Sequence, residues 1–242
     1  LWDTAPRSDT AAAVSVADKL DTIVGMFAIG EVPTGSADPY GIRRLGNGVI
    51  RALVERELPL SLAKACAQAR SGYDPALPSD PAPALAVFFR ERLAFYLAEA
   101  AGFAPSIAAA VLAAGADQPL DVARRARALA GIADTAAVAA VVKRARSIVR
   151  KEKWESRQFD PARLAAPAGQ VLHAAVAALP EDGDYAAELT AIAALAAPLD
   201  RFFNEVRVND PDPAVRANRL GFLAWVVDRL SRVADFSELA TG

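Results

Sequence analysis

Apolar side chains return every third or fourth residue along most of this chain, the spacing that gives a helix one buried face. Val141, Ala145, Ile148 and Val149 form one such stripe, and Leu220, Leu223 and Val227 form another. The two-residue alternation of a half-buried strand is almost absent, β-branched residues are scattered, and prolines fall between apolar blocks. The pattern predicts an all-α protein with helices over 10–29, 39–57, 60–71, 83–101, 104–113, 119–131, 134–154, 167–179, 183–196, 198–206 and 213–233. Asp38, Asp134 and Asp212 stand where N-caps belong, and Pro39 and Pro213 where a first-turn proline is tolerated. The proline-rich run 72–83 is a candidate joint between sub-domains, with a second around 115–119.

One turn says more than turn chemistry requires. From Ile29 to Arg44 the chain closes a helix, turns rigidly and starts another. Gly30 suits the left-handed closing position, Pro33 and Gly35 fix and release the chain, and Asp38 caps the next helix. None of this demands Thr34, Ser36, Arg43 and Arg44 in that order. Thr34, Ser36, Asp38, Arg43 and Arg44 therefore read as a surface of defined shape for a neighbouring domain or subunit. For the two arginines, a phosphate contact or an internal ion pair with Asp38 or Glu55 stays open.

Composition narrows the classes. The 242 residues suffice for one large or two modest domains, and 53% hydrophobic with 23% charged residues describes a soluble globular chain. No uncharged apolar run approaches the roughly 18 residues of a membrane span. The N-terminus lacks signal-peptide features and an initiator methionine, so the expectation is a cytoplasmic segment cut from something larger. One cysteine, Cys66, allows no internal disulfide or thiolate metal cluster. The net charge of -2 hides a segregation: between Lys143 and Arg157 seven basic residues face two acids, a local +5. Such clustering is what an RNA footprint needs.

Lys143, Arg146 and Arg150 fall away from the apolar stripe of the 134–154 helix, Arg144 and Lys151 flank it, and Trp154 lies one turn on. The cations suit phosphates and Trp154 an exposed base; the alternative is a solvated face with Trp154 filling the bundle. Arg216, Asn218 and Arg219 near the start of the last helix are further RNA candidates, unless the arginines hold Asp210 or Asp212. Cys66 reads as a buried small side chain, and the single histidine, His173, as a core-edge residue. With no Gly-rich phosphate loop, nucleophile elbow or sheet, the chain by itself is expected to be catalytically inert.

These motifs resemble a known family. Ala17-Asp18-Lys19-Leu20-Asp21, then Gly30 through Arg44 with its Pro-Thr-Gly-Ser and Asp-Pro, is similar to the beta subunit of bacterial two-subunit glycyl-tRNA synthetase. Ala214 to Leu220 resembles the Ala-Leu-Arg-x-Asn-Arg-Leu signature of its DALR-type anticodon-binding domain, and Asp235-Phe236-Ser237 its closing residues. Lys143 to Ile148 resembles a Lys-Arg-x-x-Asn-Ile motif with Ser147 for Asn, and Phe202-Phe203 a core pair.

The resemblance implies the end of an HD-type helical region (1–80), a helical connector (81–131) and an anticodon-binding helical bundle (132–242). It implies a part of a class II glycine-tRNA ligase. Its partners would be glycine tRNA and an alpha subunit, which would use ATP and Mg²⁺, with no cofactor on this chain. Asp18 aligns with a metal-binding aspartate of HD phosphohydrolases, but the His-Asp pair such chemistry requires is missing. The alternatives are a degenerate HD-type metal phosphohydrolase and a purely structural helical assembly module.

Overall fold

The computed structural model describes residues 6–34, 38–77, 80–132, 136–181 and 183–239, which contain helices and turns and no strand. The helices are α1 (Asp9–Ala28), α2 (Ile42–Glu55), α3 (Leu62–Arg70), α4 (Ala82–Phe95), α5 (Pro105–Ala113) and α6 (Pro119–Ala130). They continue with α7 (Ala136–Lys151), α8 (Pro167–Ala177), α9 (Tyr185–Ala193), α10 (Ala196–Glu205) and α11 (Pro213–Leu230). Each matches an expected helix with ends moved by a few residues. The segment expected as one helix over 83–101 is α4 followed by a π-helical turn, Tyr96–Ala100. The fold is all-α.

Two compact units divide the chain. The first comprises residues up to 108 together with 115–126, and the second comprises 109–114 and 127–242. In the first, α1 packs on α2 and α3, and α4 on α2 and α3. Ile23, Val24 and Phe27 of α1, Val49 and Ile50 of α2 and Phe89 and Leu93 of α4 are buried between them. Gly46 permits the α2–α4 approach, since a Cβ there would lie 2.7 Å from the Phe88 ring. Helix α4 is thus integral to this core.

The ends of α1 and α2 show how the informative turn is built. Gly30, at φ +88°, donates to the Phe27 carbonyl, and Glu31 donates to that of Met26, the paired bonds that finish a helix through a left-handed residue. The cap of α2 differs from expectation. Pro39 and Tyr40 form a turn rather than the first helical turn, Gly41 at φ +66° is the N-cap, and α2 begins at Ile42. Asp38 still caps from farther upstream, its carboxylate accepting from the amides of Ile42 at 2.7 Å and Arg43 at 3.1 Å. That satisfies two amides no helical carbonyl can reach. Asp212 caps α11 as expected, accepting from Ala214 and Val215 with Pro213 at the first position. The expected cap Asp134 lies outside the described residues.

In the second unit α7 packs on α11, and α8 on α10 and α11. Leu172, Leu199, Phe202, Phe222, Leu223 and Val226 form its core. A closing segment, Asp235–Leu239, lies against α7 with Phe236 and Leu239 buried. Glu188 of α9 is buried too, held by Arg229 and by Arg232 at 2.6 Å, so its charge is paired where an unpaired one would be costly. Gly221 lets α11 lie directly on the backbone of the incoming loop, because a Cβ there would sit 2.1 Å from the Gln158 carbonyl oxygen. Gly221→Ala should therefore cost on the order of 3 kcal/mol, read as a lowered denaturant midpoint.

Candidate nucleic-acid interface

The cations of α7 separate into two groups once folded. Lys143 and Arg146 face the closing segment rather than solvent. The Lys143 ammonium donates to the Leu239 carbonyl at 3.0 Å. Arg146 pairs with Asp235 and donates to Ser237 Oγ at 2.8 Å and Ser231 Oγ at 2.9 Å. Arg144, on an exposed face, lays its guanidinium over the Phe203 ring, 4.6 Å from the centroid. Arg150 and Lys151 in the last turn are exposed, with no ion pair or side-chain hydrogen bond among the described residues.

The stripe on α7 buries Val142 and Ala145, with Ile148 and Val149 half-buried, while the Val141 side chain lies outside the description. The helix ends at Lys151, and beyond it Lys153 takes φ +49° and donates to Arg150, while Trp154 donates to Val149. A lysine holds the left-handed closing position usually filled by glycine, at a cost of about 1 kcal/mol. Trp154 is half-buried, its indole N–H enclosed without an acceptor among the described residues.

The three candidates at the start of α11 also part company. Asn218 is buried and clasps the incoming loop, accepting from the Asp160 amide at 2.6 Å and donating to the Asp160 carbonyl at 3.2 Å. Arg219 donates to Asp210 at 2.7 Å and to the Arg207 carbonyl at 2.8 Å, the internal pairing left open by the sequence. Arg216 stays exposed, its side chain without a partner among the described residues.

Two contacts bring the remaining cations to one end of the bundle. Asn209 donates to Glu152 at 3.2 Å, joining the end of α7 to the 206–212 loop. Arg219 joins that same loop to α11. Arg150, Lys151, Lys153, Arg207 and Arg216 are all exposed on these three joined stretches. Arg207 and the orienting role of Asn209 carry no sequence signal, since each depends on a contact across more than fifty or about ten residues.

In the first unit, Thr34 and Arg44 are exposed, and Asp38 and Arg43 are half-buried; Ser36 lies outside the described residues. The Asp38 carboxylate is taken by the two α2 amides, and Glu55 pairs with Arg51. Ile29, Val32 and Tyr40 on the same turn are exposed. A cavity of about 640 Å³ opens between α3 and α4, floored by Leu62, Cys66, Leu85 and Phe89. No residue assigned from sequence lines it. Burial, and after it the Asp117 charge, pushes the Cys66 thiol up to about 12, leaving it protonated and unreactive. Asp18 is exposed on α1, and among the described residues no three His, Cys, Asp or Glu side chains converge. No helix among them is long and apolar enough to cross a membrane.

The class that these features define is an all-α chain whose second unit is a helical bundle with exposed cations on the α7 terminus, the 206–212 loop and the α11 start. Residues 2–113 match the family model of the glycyl-tRNA synthetase beta subunit. Over 98% of its length the chain is 44% identical to the glycine--tRNA ligase beta subunit of Leptothrix cholodnii, 41% to that of Delftia acidovorans and 39% to that of Thiobacillus denitrificans. The match takes up 35% of each of those proteins. The chain resembles a fragment of the glycyl-tRNA synthetase beta subunit and spans about a third of the length of these curated relatives.

The Arg146 contact makes a checkable electrostatic statement. Burial raises the Asp235 carboxyl, but hydrogen bonds from Arg146 and Ser237 outweigh it and hold the group below the usual carboxylate range. A carboxyl depressed in the folded state stabilises fully above its unfolded value of about 4, and that contribution is lost as pH falls through the folded value. Asp235→Asn should lower the melting temperature near roughly pH 7 and flatten its decline between roughly pH 4 and 2, monitored by circular dichroism.

Proposed function

We propose that this chain is the tRNA-holding part of a glycine--tRNA ligase beta subunit, with the basic end of the second unit gripping the anticodon arm. The observation that carries the reading is the meeting of the α7 terminus, the 206–212 loop and the α11 start, each bearing exposed cations. Phosphate contacts from Arg150, Lys151, Lys153, Arg207 and Arg216 fix register there, and unstacked bases supply specificity. Lys143, Arg146, Asn218 and Arg219 act indirectly, by holding these stretches in place. Arg144 and Trp154 flank the grip.

Catalysis in this reading belongs to an alpha subunit that uses ATP and Mg²⁺, and this fragment contributes no reacting group. The assembly works in translation, in the cytoplasm. The turn carrying Thr34, Ser36, Asp38, Arg43 and Arg44 is a contact for a neighbouring domain or subunit. Its exposed Ile29, Val32 and Tyr40 favour protein over RNA as the partner.

Neutralising the grip should weaken binding in a salt-dependent way. Arg150→Gln/Lys151→Gln/Arg216→Gln should reduce affinity for glycine tRNA at low salt and shrink the slope of log K against log salt by about 2 to 3. Fluorescence anisotropy across a salt series gives both numbers. An unchanged slope would remove this end of the bundle from the RNA site.

A further inference from the structure

A second feature of the same unit is unused by the phosphate grip. Phe159 of the incoming loop, His173 of α8 and Trp225 of α11 form a triangle of rings. Their centroids are 5.6, 5.4 and 5.4 Å apart. All three are half-buried. Phe222, fully buried, backs each of them at 5.2 to 6.2 Å. The triangle is thus a cluster of mutually tilted rings packed from behind by Phe222, each residue partly open to solvent.

One cation stands beside it. Arg157, two residues before Phe159, pairs at 2.8 Å with Asp228, one helical turn after Trp225. Both side chains are more than half exposed, at 60% and 54%. A solvent-exposed ion pair of this kind is worth little and exchanges readily for a phosphate. The Asn218–Asp160 clasp and the Gly221–Gln158 contact hold the loop along α11, so its course from the α7 terminus to the triangle is fixed. Six residues separate Arg219 from Trp225, about 9 Å of helix rise.

We propose that Phe159, His173 and Trp225 form a stacking site for an unpaired nucleobase, with Arg157 passing from Asp228 to the adjoining phosphate. The site rests on the tRNA-holding function proposed above and adds a base-binding surface to its phosphate grip. Half-buried aromatic rings tilted by 39° to 77° against one another and backed by a buried fourth ring, beside a cation in a weak pair, suit a base and its phosphate better than a protein side chain. Stacking selects for an unstacked base and tolerates its identity. The base held here therefore belongs to a loop or an end, not to a duplex.

The test uses the whole chain with Trp2→Phe and Trp154→Phe, leaving Trp225 as its single indole and the triangle intact. Glycine tRNA should quench the emission of Trp225 as it binds. In parallel, Trp225→Leu and His173→Leu should each lower tRNA affinity roughly 5- to 100-fold. The slope of log K against log salt should not change, because stacking releases no counterions. Chain that binds tRNA without quenching, or folded variants that bind at wild-type strength, would overturn the stacking site and leave the basic grip standing. Failure of the unaltered chain to bind tRNA would overturn both. Quenching by the alpha subunit and not by tRNA would give the face to a protein partner and overturn it too. If either leucine variant unfolds, the emission titration decides alone.

Discussion

The guanidinium of Arg146 ties α7 to two neighbouring stretches some ninety residues further on: the turn at Ser231 that ends α11, and the closing segment at Asp235 and Ser237. It is largely shielded from water, and so is Asp235. Removing either partner would strand the other charge in a half-dry site, a larger loss than the net worth of the pair. This contact and the Lys143–Leu239 bond hold the closing segment against α7 with Phe236 and Leu239 buried. The geometry of the second unit depends on that arrangement.

The same division of labour runs through the bundle. Arg219 fixes the 206–212 loop, Asn218 the incoming loop, and Arg229 with Arg232 a buried glutamate on α9. Charges that solve packing problems lie inward with carboxylates or carbonyls. Of those left exposed, Arg150, Lys151, Lys153, Arg207 and Arg216 lie on the α7 terminus, the loop before α11 and the start of α11. An overall charge of -2 is therefore compatible with a local anion grip, since internal pairing cancels many of the cations before any ligand arrives.

The helical architecture was legible because apolar periodicity and prolines between blocks both reflect helix geometry. The sequence also showed Asp212 as a cap and Gly30 as a left-handed closure. It misplaced the start of α2, because Asp38 reaches over a Pro39-Tyr40 turn to the amides it satisfies instead of directly preceding them. It ran α7 on to 154, since the closing position is taken by Lys153 with no glycine to mark it. The division of cations into structural and exposed was not legible. Lys143 and Arg150 look alike in sequence, and only the closing segment, some ninety residues on, distinguishes them. The aromatic triangle escaped for the same reason, its rings coming from a loop and two helices.

Under the proposed function, internal pairing selects which cations meet RNA. Lysine-reactivity footprinting of the chain with and without glycine tRNA tests it most directly. Lys143 is bonded to the Leu239 carbonyl, whereas Lys151 and Lys153 are exposed at the basic end. tRNA should shield Lys151 and Lys153 and leave the reactivity of Lys143 as it was. Shielding of Lys143 with Lys151 and Lys153 still open to reagent would contradict it.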